Sequence, residues 1–251
     1  MGKKVRIDVA LVDAKLVQSR ERARALIMAG KVLVDGRAVT KAGTQISISS
    51  EIRLKAPDVP YVGRGGLKLA GVLDTMALDV SGGVFLDVGA STGGFTDCLL
   101  QRGAARIYAI DVGYGQLDWT LRNDPRVINY ERVNARYLDQ KDLPSLVDGV
   151  VMVVSFISVA KILPALRRHL VAGAKVLTLV KPQFEAGPRD VGKAGIVRDS
   201  GVRRRVVEDV KRAARDLGFT VAGEVTSPIR GAKGNVEYFL LLIYPGRENH
   251  S

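Results

Sequence analysis

The sequence predicts an α/β protein, in which a Rossmann-like domain with a mostly parallel sheet follows a small N-terminal α+β domain. Three observations carry this. From Val84 onward strand-like and helix-like patterns alternate, the signature of a parallel sheet with helices on both faces. Residues 84–95 read V-F-L-D-V-G-A-S-T-G-G-F: an apolar strand ending on Asp87, a glycine-rich turn, and entry into an apolar helix at about Gly93. Residues 1–60 stand apart in charge, with twelve Lys/Arg against six Asp/Glu, so half of the net +12 lies in a quarter of the chain.

The bulk composition narrows the class. With 251 residues, 47% hydrophobic and 25% charged, the chain is globular rather than disordered. A net charge of +12 favours a polyanionic partner, nucleic acid ahead of anionic membrane. Cys98 is the lone cysteine, and His169 and His250 are the two histidines. No disulfide framework or Cys/His zinc cluster can be assembled from them, so no metal is expected. Cys98 lies on an apolar helical face and reads as a small buried hydrophobe. The start M-G-K-K-V-R-I-D lacks an apolar signal core, and the apolar run 149–160 falls short of the ~20 residues a bilayer requires. The expectation is a cytoplasmic protein without membrane contact.

In the first domain, Arg6–Ala14 and Ser19–Ala29 are helical, the second capped by Ser19 and stopped by Gly30. Ala23, Leu26 and Ile27 form its apolar face, while Arg20 and Arg24 lie one turn apart on another. Lys31–Val34, Asp35-Gly36 and Arg37–Val39 read as a hairpin with a type I′ turn, and Glu51–Lys55 as a further strand. The run S-R-E-R-A-R-A-L-I-M-A-G-K-V-L-V-D-G-R (19–37) resembles the RNA-binding domain first described in ribosomal protein S-four. That resemblance implies Arg20, Arg24, Lys31 and Arg37 as phosphate contacts, which supply affinity but little sequence information.

Residues 56–66 hold two prolines and three glycines and read as a linker. The domains are therefore expected at 1–59 and 67–251, with 60–66 between them. A helix follows from Leu67 towards Met76. The second domain continues with strand Val84–Asp87, a helix to about Arg102, and strands Arg106–Asp111, Val127–Tyr130 and Val150–Val154. Next come a helix at about Val159–Val171, strand Lys175–Leu179, and a basic amphipathic helix, Ser200–Leu217. In that helix Val206, Val207 and Val210 face inward, while Arg203, Arg204, Lys211 and Arg215 either extend an RNA-facing surface or form a solvated face. Strands Thr220–Thr226 and Glu237–Tyr244 end the domain, the last apolar enough to be central and buried.

The glycine loop bears on ligand class. Gly89, Ser91 and Gly94 take the three places of a dinucleotide fingerprint, so the middle glycine, which admits a pyrophosphate, is absent. A nucleoside ligand without pyrophosphate fits better, with S-adenosylmethionine the obvious candidate. Asp111 ends its strand 22 residues past Gly89, about where such folds place an acid for ribose hydroxyls. An NAD-type oxidoreductase is disfavoured on the same residues.

Six further stretches extend the resemblance to nearly the whole chain. They are G-R-G-G-L-K-L (63–69), D-V-G-A-S-T-G-G-F-T-D (87–97), V-S-F-I-S-V (154–159), L-V-K-P-Q-F-E (179–185), G-I-V-R-D (195–199) and G-N-V-E-Y-F (234–239). The chain resembles the TlyA family, which joins an S-four-type domain to an FtsJ-like methyltransferase domain. The resemblance implies a class I methyltransferase fold with a mixed, mostly parallel seven-stranded sheet. It also implies 2′-O-ribose methylation of ribosomal RNA or ribosomal subunits, with S-adenosylmethionine as donor. Some members are labelled haemolysins, for which this sequence offers no spanning segment. The implied cofactor site is Asp87, Gly89, Ala90, Ser91, Gly93, Gly94, Phe95, Asp111, Val112 and Asn134.

The related enzymes use a Lys-Asp-Lys-Glu tetrad, and by motif Lys68, Lys181 and Glu237 match its two lysines and its glutamate. A desolvated lysine near a like charge loses its proton more readily and can take one from a ribose hydroxyl. The expected base is Lys181, with Lys68 and Glu237 positioning it and the substrate. The aspartate is missing: Val153 stands in its place, and Asp148 lies five strand residues away, ~16 Å, towards the other end of the sheet. The expectation is a 2′-O-methyltransferase weakened by Val153, with a catalytically impaired RNA-binding protein or ribosome-assembly factor as the alternative.

Overall fold

The computed structural model describes residues 4–17, 19–55, 59–231 and 233–246. His250, residues 56–58 of the expected linker and Ala232 of the loop before the last strand lie outside the described residues. The chain divides into two compact units, Met1–Val59 and Pro60–Ser251.

The first unit contains β1 (Lys4–Arg6), α1 (Ile7–Asp13), α2 (Arg20–Met28), β2 (Val32–Val34), β3 (Arg37–Val39), β4 (Gln45–Ser47) and β5 (Ile52–Leu54). β2 pairs antiparallel with β3 and β5, and β1 pairs with β4. Ser19 caps α2 by accepting from the Arg22 amide at 3.2 Å. Asp35 and Gly36 both have positive φ, +47° and +77°, as a type I′ turn requires. Ile7, Leu11, Ala23, Leu26, Ile27, Val32, Val34 and Ile46 form the core.

One carboxylate organises this unit's charge. Asp8 is buried at the start of α1. Its Oδ1 accepts from Arg6 Nε at 2.9 Å and its Oδ2 from Arg20 Nη2 at 3.0 Å, while Arg24 Nε lies 3.5 Å away. The Arg6 hydrogen bond, against the opposing effect of burial and with help from Arg20, holds the Asp8 carboxyl well below the usual range.

The second unit opens with α3 (Arg64–Thr75), β6 (Val84–Val88), α4 (Gly94–Gln101), β7 (Arg106–Asp111), α5 (Trp119–Arg122) and β8 (Val127–Glu131). It continues with β9 (Val147–Met152), α6 (Leu163–Leu166), β10 (Leu170–Val180), α7 (Pro182–Glu185), α8 (Ser200–Asp216), β11 (Thr220–Thr226) and β12 (Tyr238–Ile243). The seven strands run in the order β11-β12-β10-β9-β6-β7-β8. Strands β6 to β10 are parallel, and β12 is antiparallel to both neighbours. Alternating residues fill opposite faces. Leu86, Val88 and Val150 join one buried cluster; Phe85, Val151 and Phe239 join the other, with Leu69 and Leu99 of the helices. The C-terminal ends of the parallel strands and the start of β12 therefore share one edge.

Several expectations are corrected. The stretch 60–66 is not a linker throughout: α3 starts at Arg64, Tyr61 and Val62 pack on the core, and the Val62 amide donates to Asp97 at 2.7 Å. Its glycines serve close packing, since a Cβ on Gly66 would meet the Tyr61 ring at 2.2 Å. The helix expected at 159–171 is broken into 3-10 turns at Val159–Lys161 and Arg167–His169 around α6, with Pro164 in α6's first turn. Strand β9 ends at Met152, so Val153 lies just beyond it. Helix α8 buries Val206, Val207 and Val210 as expected. Its cations are partly committed, Lys211 to Glu208 and Glu224, and Arg203 to the carbonyls of Val197 and Arg198.

Asp8→Ala leaves three guanidiniums converging on an apolar site. Hydrogen exchange on the intact chain is expected to show α1 and α2 amides opening about tenfold or more faster. Because the folded pKa is depressed, the stabilisation is full above about pH 4 and is lost only in stronger acid.

Candidate active site

Strand register brings the expected catalytic residues together. Val180, the last residue of β10, pairs with Tyr238, the first of β12, so Lys181 and Glu237 leave neighbouring strands at the same edge. Lys68, on α3, donates from Nζ to Glu237 Oε2. The pair is secluded, with side chains 12% and 2% exposed. Two features fix the glutamate. Gly231 lies so close that a Cβ there would sit 2.5 Å from Glu237 Oε1. Asn235, two residues before Glu237, accepts from the Val197 amide at 3.0 Å and donates to the Gly195 carbonyl at 2.8 Å.

Lys181 Nζ donates to Ser155 Oγ at 3.0 Å and lies 5.8 Å from the Phe184 ring centre. Burial pushes the Lys181 amine below the ordinary lysine value; Glu237 opposes this, and Lys68 adds to it. Val153 is half-buried, packs against the cluster containing Leu69, Phe95 and Phe239, and donates from its amide to the Val88 carbonyl at 2.8 Å. Asp148 accepts from the Val84 amide at 2.8 Å, at the start of β6 and hence at the opposite end of the sheet.

Beside this group, the loop after β6 runs through Gly89, Ser91 and Gly93 with φ of +81°, +51° and +94°. Ser91 thus takes a left-handed conformation that favours glycine. A Cβ on Gly89 would lie 2.2 Å from the Val153 carbonyl oxygen, so the loop and the end of β9 touch through backbone. Asp111 accepts from the Ser91 amide at 2.8 Å and from the Gly113 amide at 2.7 Å. Val112 is exposed next to it. The Val133 amide donates to the Asp111 carbonyl at 3.0 Å, which brings Asn134 alongside; its side chain accepts from the Arg136 amide at 3.0 Å.

Asp87 is fully buried. Its Oδ2 accepts from the Thr96 amide at 3.0 Å and hydroxyl at 2.7 Å, while Oδ1 has no partner among the described residues. Burial, opposed by the Thr96 bonds, pushes its carboxyl up to about 7. Ala90 and Phe95 are buried; the Phe95 ring stacks on Phe239 with centres 6.0 Å apart, and Gly94 sits where α4 approaches α3. Phe95 and Gly94 therefore shape the cradle from behind.

Sequence reading missed Ser155, Asn235 and Phe156. Phe156 is 90% exposed, has φ +64° and packs its ring 4.7 Å from that of Phe184. The available signal was an aromatic in V-S-F-I-S, immediately past a strand end at the ligand edge. Two more exposed aromatics, Tyr114 and Tyr137, carry Arg132 and Arg136 over their rings at 4.5 and 5.4 Å.

The FtsJ-like methyltransferase family model matches residues 61–244, and the S4 domain model residues 5–52. A Mycobacterium tuberculosis protein named 16S/23S rRNA (cytidine-2′-O)-methyltransferase TlyA is 47% identical over 243 residues, covering 96% of this chain and 91% of its own. Hemolysin A of Brachyspira hyodysenteriae is 40% identical over 238 residues, covering 93% and 98%. A solved chain from Streptococcus thermophilus, provisionally called a hemolysin, superposes with a TM-score of 0.74 at 43% identity and covers 99% of this chain and 92% of its own. The chain belongs to the TlyA family. It is a methyltransferase built on the S-adenosylmethionine-dependent fold, with an S4 domain ahead of it.

The residues present fit that cofactor. An orphaned carboxylate oxygen on Asp87 lies under the loop and suits a cationic group, and Asp111 keeps acceptor capacity for ribose hydroxyls at the end of β7. In the S4 unit, Arg20 and Arg24 converge on Asp8 and remain about half exposed; Lys31 and Arg37 are exposed beyond α2 and on β3. Among the described residues no Asp/Glu/His/Cys group could hold a metal ion, and no helix is long and apolar enough to cross a membrane.

Asp87 gives this TlyA-family site a pH signature. Its folded pKa is raised, so without cofactor the protein loses stability as pH rises from about 4 through about 7. Thermal melts of the cofactor-free protein are expected to fall over that window, and Asp87→Asn is expected to flatten the fall while weakening cofactor binding measured by calorimetry.

Proposed function

We propose that the protein transfers the methyl group of S-adenosylmethionine to a ribose 2′-hydroxyl of ribosomal RNA. The observation that carries this reading is the convergence of Lys68, Glu237 and Lys181 on one sheet edge, beside the Asp87–Gly94 loop. The donor, when bound, supplies an electrophilic methyl group on a sulfonium. The rest is done by the chain. A ribose hydroxyl is a poor nucleophile and has to shed its proton as it attacks. Lys181, depressed by burial, takes that proton on Nζ. Lys68, held by Glu237, orients the hydroxyl with its remaining N–H bonds.

Three features support RNA as the acceptor. The net charge of +12 favours a polyanion, with Arg20, Arg24, Lys31 and Arg37 of residues 1–59 gripping phosphates. Phe156, exposed beside Lys181, offers a face on which a base drawn out of its stack can rest. The relative at 47% identity is named for 16S and 23S rRNA. Residues 67–251 then form the catalytic domain, and ribosomal substrates imply a cytoplasmic site of action.

Val153 favours a second reading, in which the protein binds RNA and cofactor and serves in ribosome assembly with little or no turnover. An apolar side chain in place of the acid removes a fixed negative charge beside a positively charged methyl donor.

Incubation with ribosomal subunits and labelled S-adenosylmethionine, followed by mapping of the modified ribose, separates the two. Under the first reading label enters ribose 2′-oxygens of ribosomal RNA, and Lys181→Ala lowers transfer about a hundredfold or more while cofactor binding persists. The rate rises with pH through a Lys181 pKa below the ordinary lysine value. Label transfer that survives Lys181→Ala rejects Lys181 as the base. Val153→Asp is expected to raise turnover about tenfold or more; a fast wild type that this change leaves untouched removes the aspartate argument.

A further inference from the structure

We propose that Ser155 is a positioning residue for Lys181, holding the amine in the way a carboxylate at position 153 otherwise would. The inference rests on the reading of Lys181 as the base. The other groups around that amine are committed elsewhere or apolar. Glu237, ahead of β12, gives Oε2 to Lys68 of α3, and its Oε1 lies against Gly231. Val153, just past the end of β9, has no polar side-chain atom. Phe184, on α7, presents a ring 5.8 Å from Nζ. The hydrogen bond that the structure gives Lys181 runs to Ser155 Oγ, at 3.0 Å.

Geometry makes that bond useful to a base. A neutral lysine has one lone pair and two N–H bonds, and free rotation about Cε–Nζ would spread the lone pair over all directions. Accepting one N–H at Ser155 leaves the lone pair on the side away from the serine, open to a bound hydroxyl. A neutral hydroxyl also favours the ammonium form less than a carboxylate does. The amine is thereby anchored without losing the low basicity that burial and Lys68 confer. Ser155 sits two residues past Val153 on the segment leaving β9, so the anchor comes from the same strand end that would carry the acid.

The test reads Lys181 directly and needs no turnover. Trace acylation of the full-length protein across a pH series, quantified at Lys181 by mass spectrometry, gives the amine's titration. Ser155→Ala is expected to move that curve to lower pH by about half a unit or more, because the ammonium loses an acceptor. Ser155→Thr is expected to restore it. In the Val153→Asp background the same Ser155→Ala change is expected to have a much smaller effect, since the carboxylate takes the N–H.

Methyl transfer to ribosomal subunits supplies the second readout. Ser155→Ala lowers kcat about tenfold with KM for subunits unchanged, and this penalty shrinks below about threefold with Asp at 153. Superimposable titration curves for wild type and Ser155→Ala, or equal shifts and penalties in both backgrounds, overturn the proposal. A shifted curve together with transfer that survives Lys181→Ala has a different meaning: Ser155 holds Lys181, but Lys181 is not the base.

Discussion

The site depends on one ion pair, Lys68 with Glu237, which joins residues 169 apart in the chain. A carboxylate that is 2% exposed is costly to bury without a partner, and a lysine from the opening helix of the unit provides one. The pair ties α3 to the final strand of the sheet. It also explains features around it that have no catalytic role of their own. Gly231 has no Cβ because the carboxylate occupies that space, and Asn235 pins the approach to Glu237 onto Gly195 and Val197. With the buried acid neutralised by Lys68, no carboxylate remains to bond Lys181. Burial then depresses the amine, opposed by the charge of Glu237 and aided by that of Lys68.

The cofactor cradle is insulated from what happens at position 153. The Val153 amide bonds the Val88 carbonyl, and the Val153 carbonyl oxygen lies 2.2 Å from where a Cβ on Gly89 would be. These are main-chain contacts, indifferent to the side chain. Valine can replace aspartate there while the loop through Gly89, Ser91 and Gly93 keeps its shape. What changes is the field in the reacting space. Loop geometry and side-chain charge at this strand end are separable because one is set by backbone and the other by a side chain.

The same distinction explains how much could be read from the sequence. Asp87, Gly89 and Gly93 were legible because a strand, a left-handed turn and a helix start impose residue types locally. Lys68, Lys181 and Glu237 were legible by family pattern, not by physics, since residue spacing cannot show that strand register places Lys181 opposite Glu237. Asp8 was missed as an organiser because its three arginine partners come from two elements and its burial is tertiary. Residues 60–66 were misread because glycines that permit close helix packing have the same composition as glycines that permit bending; Gly66 against Tyr61 is the first kind. Strands β1 and β4, of three residues each, are too short for an alternating pattern to register.

The two units handle charge by one rule. In each, a buried carboxylate orders the cations around it: Asp8 gathers Arg6, Arg20 and Arg24, and Glu237 binds Lys68 while its charge acts at longer range on Lys181. One acid among several bases fixes their directions without cancelling their charge. Full pairing would give ordered but neutral clusters, of little use against a polyanion. Unpaired cations would be attractive to phosphate but conformationally free, and each would lose rotamer entropy on binding. Burying the acid and leaving the guanidiniums half exposed presents preorganised positive charge to the outside. Near Glu237 the surplus acts inward, where the charge of Lys68 adds to burial in lowering the Lys181 amine.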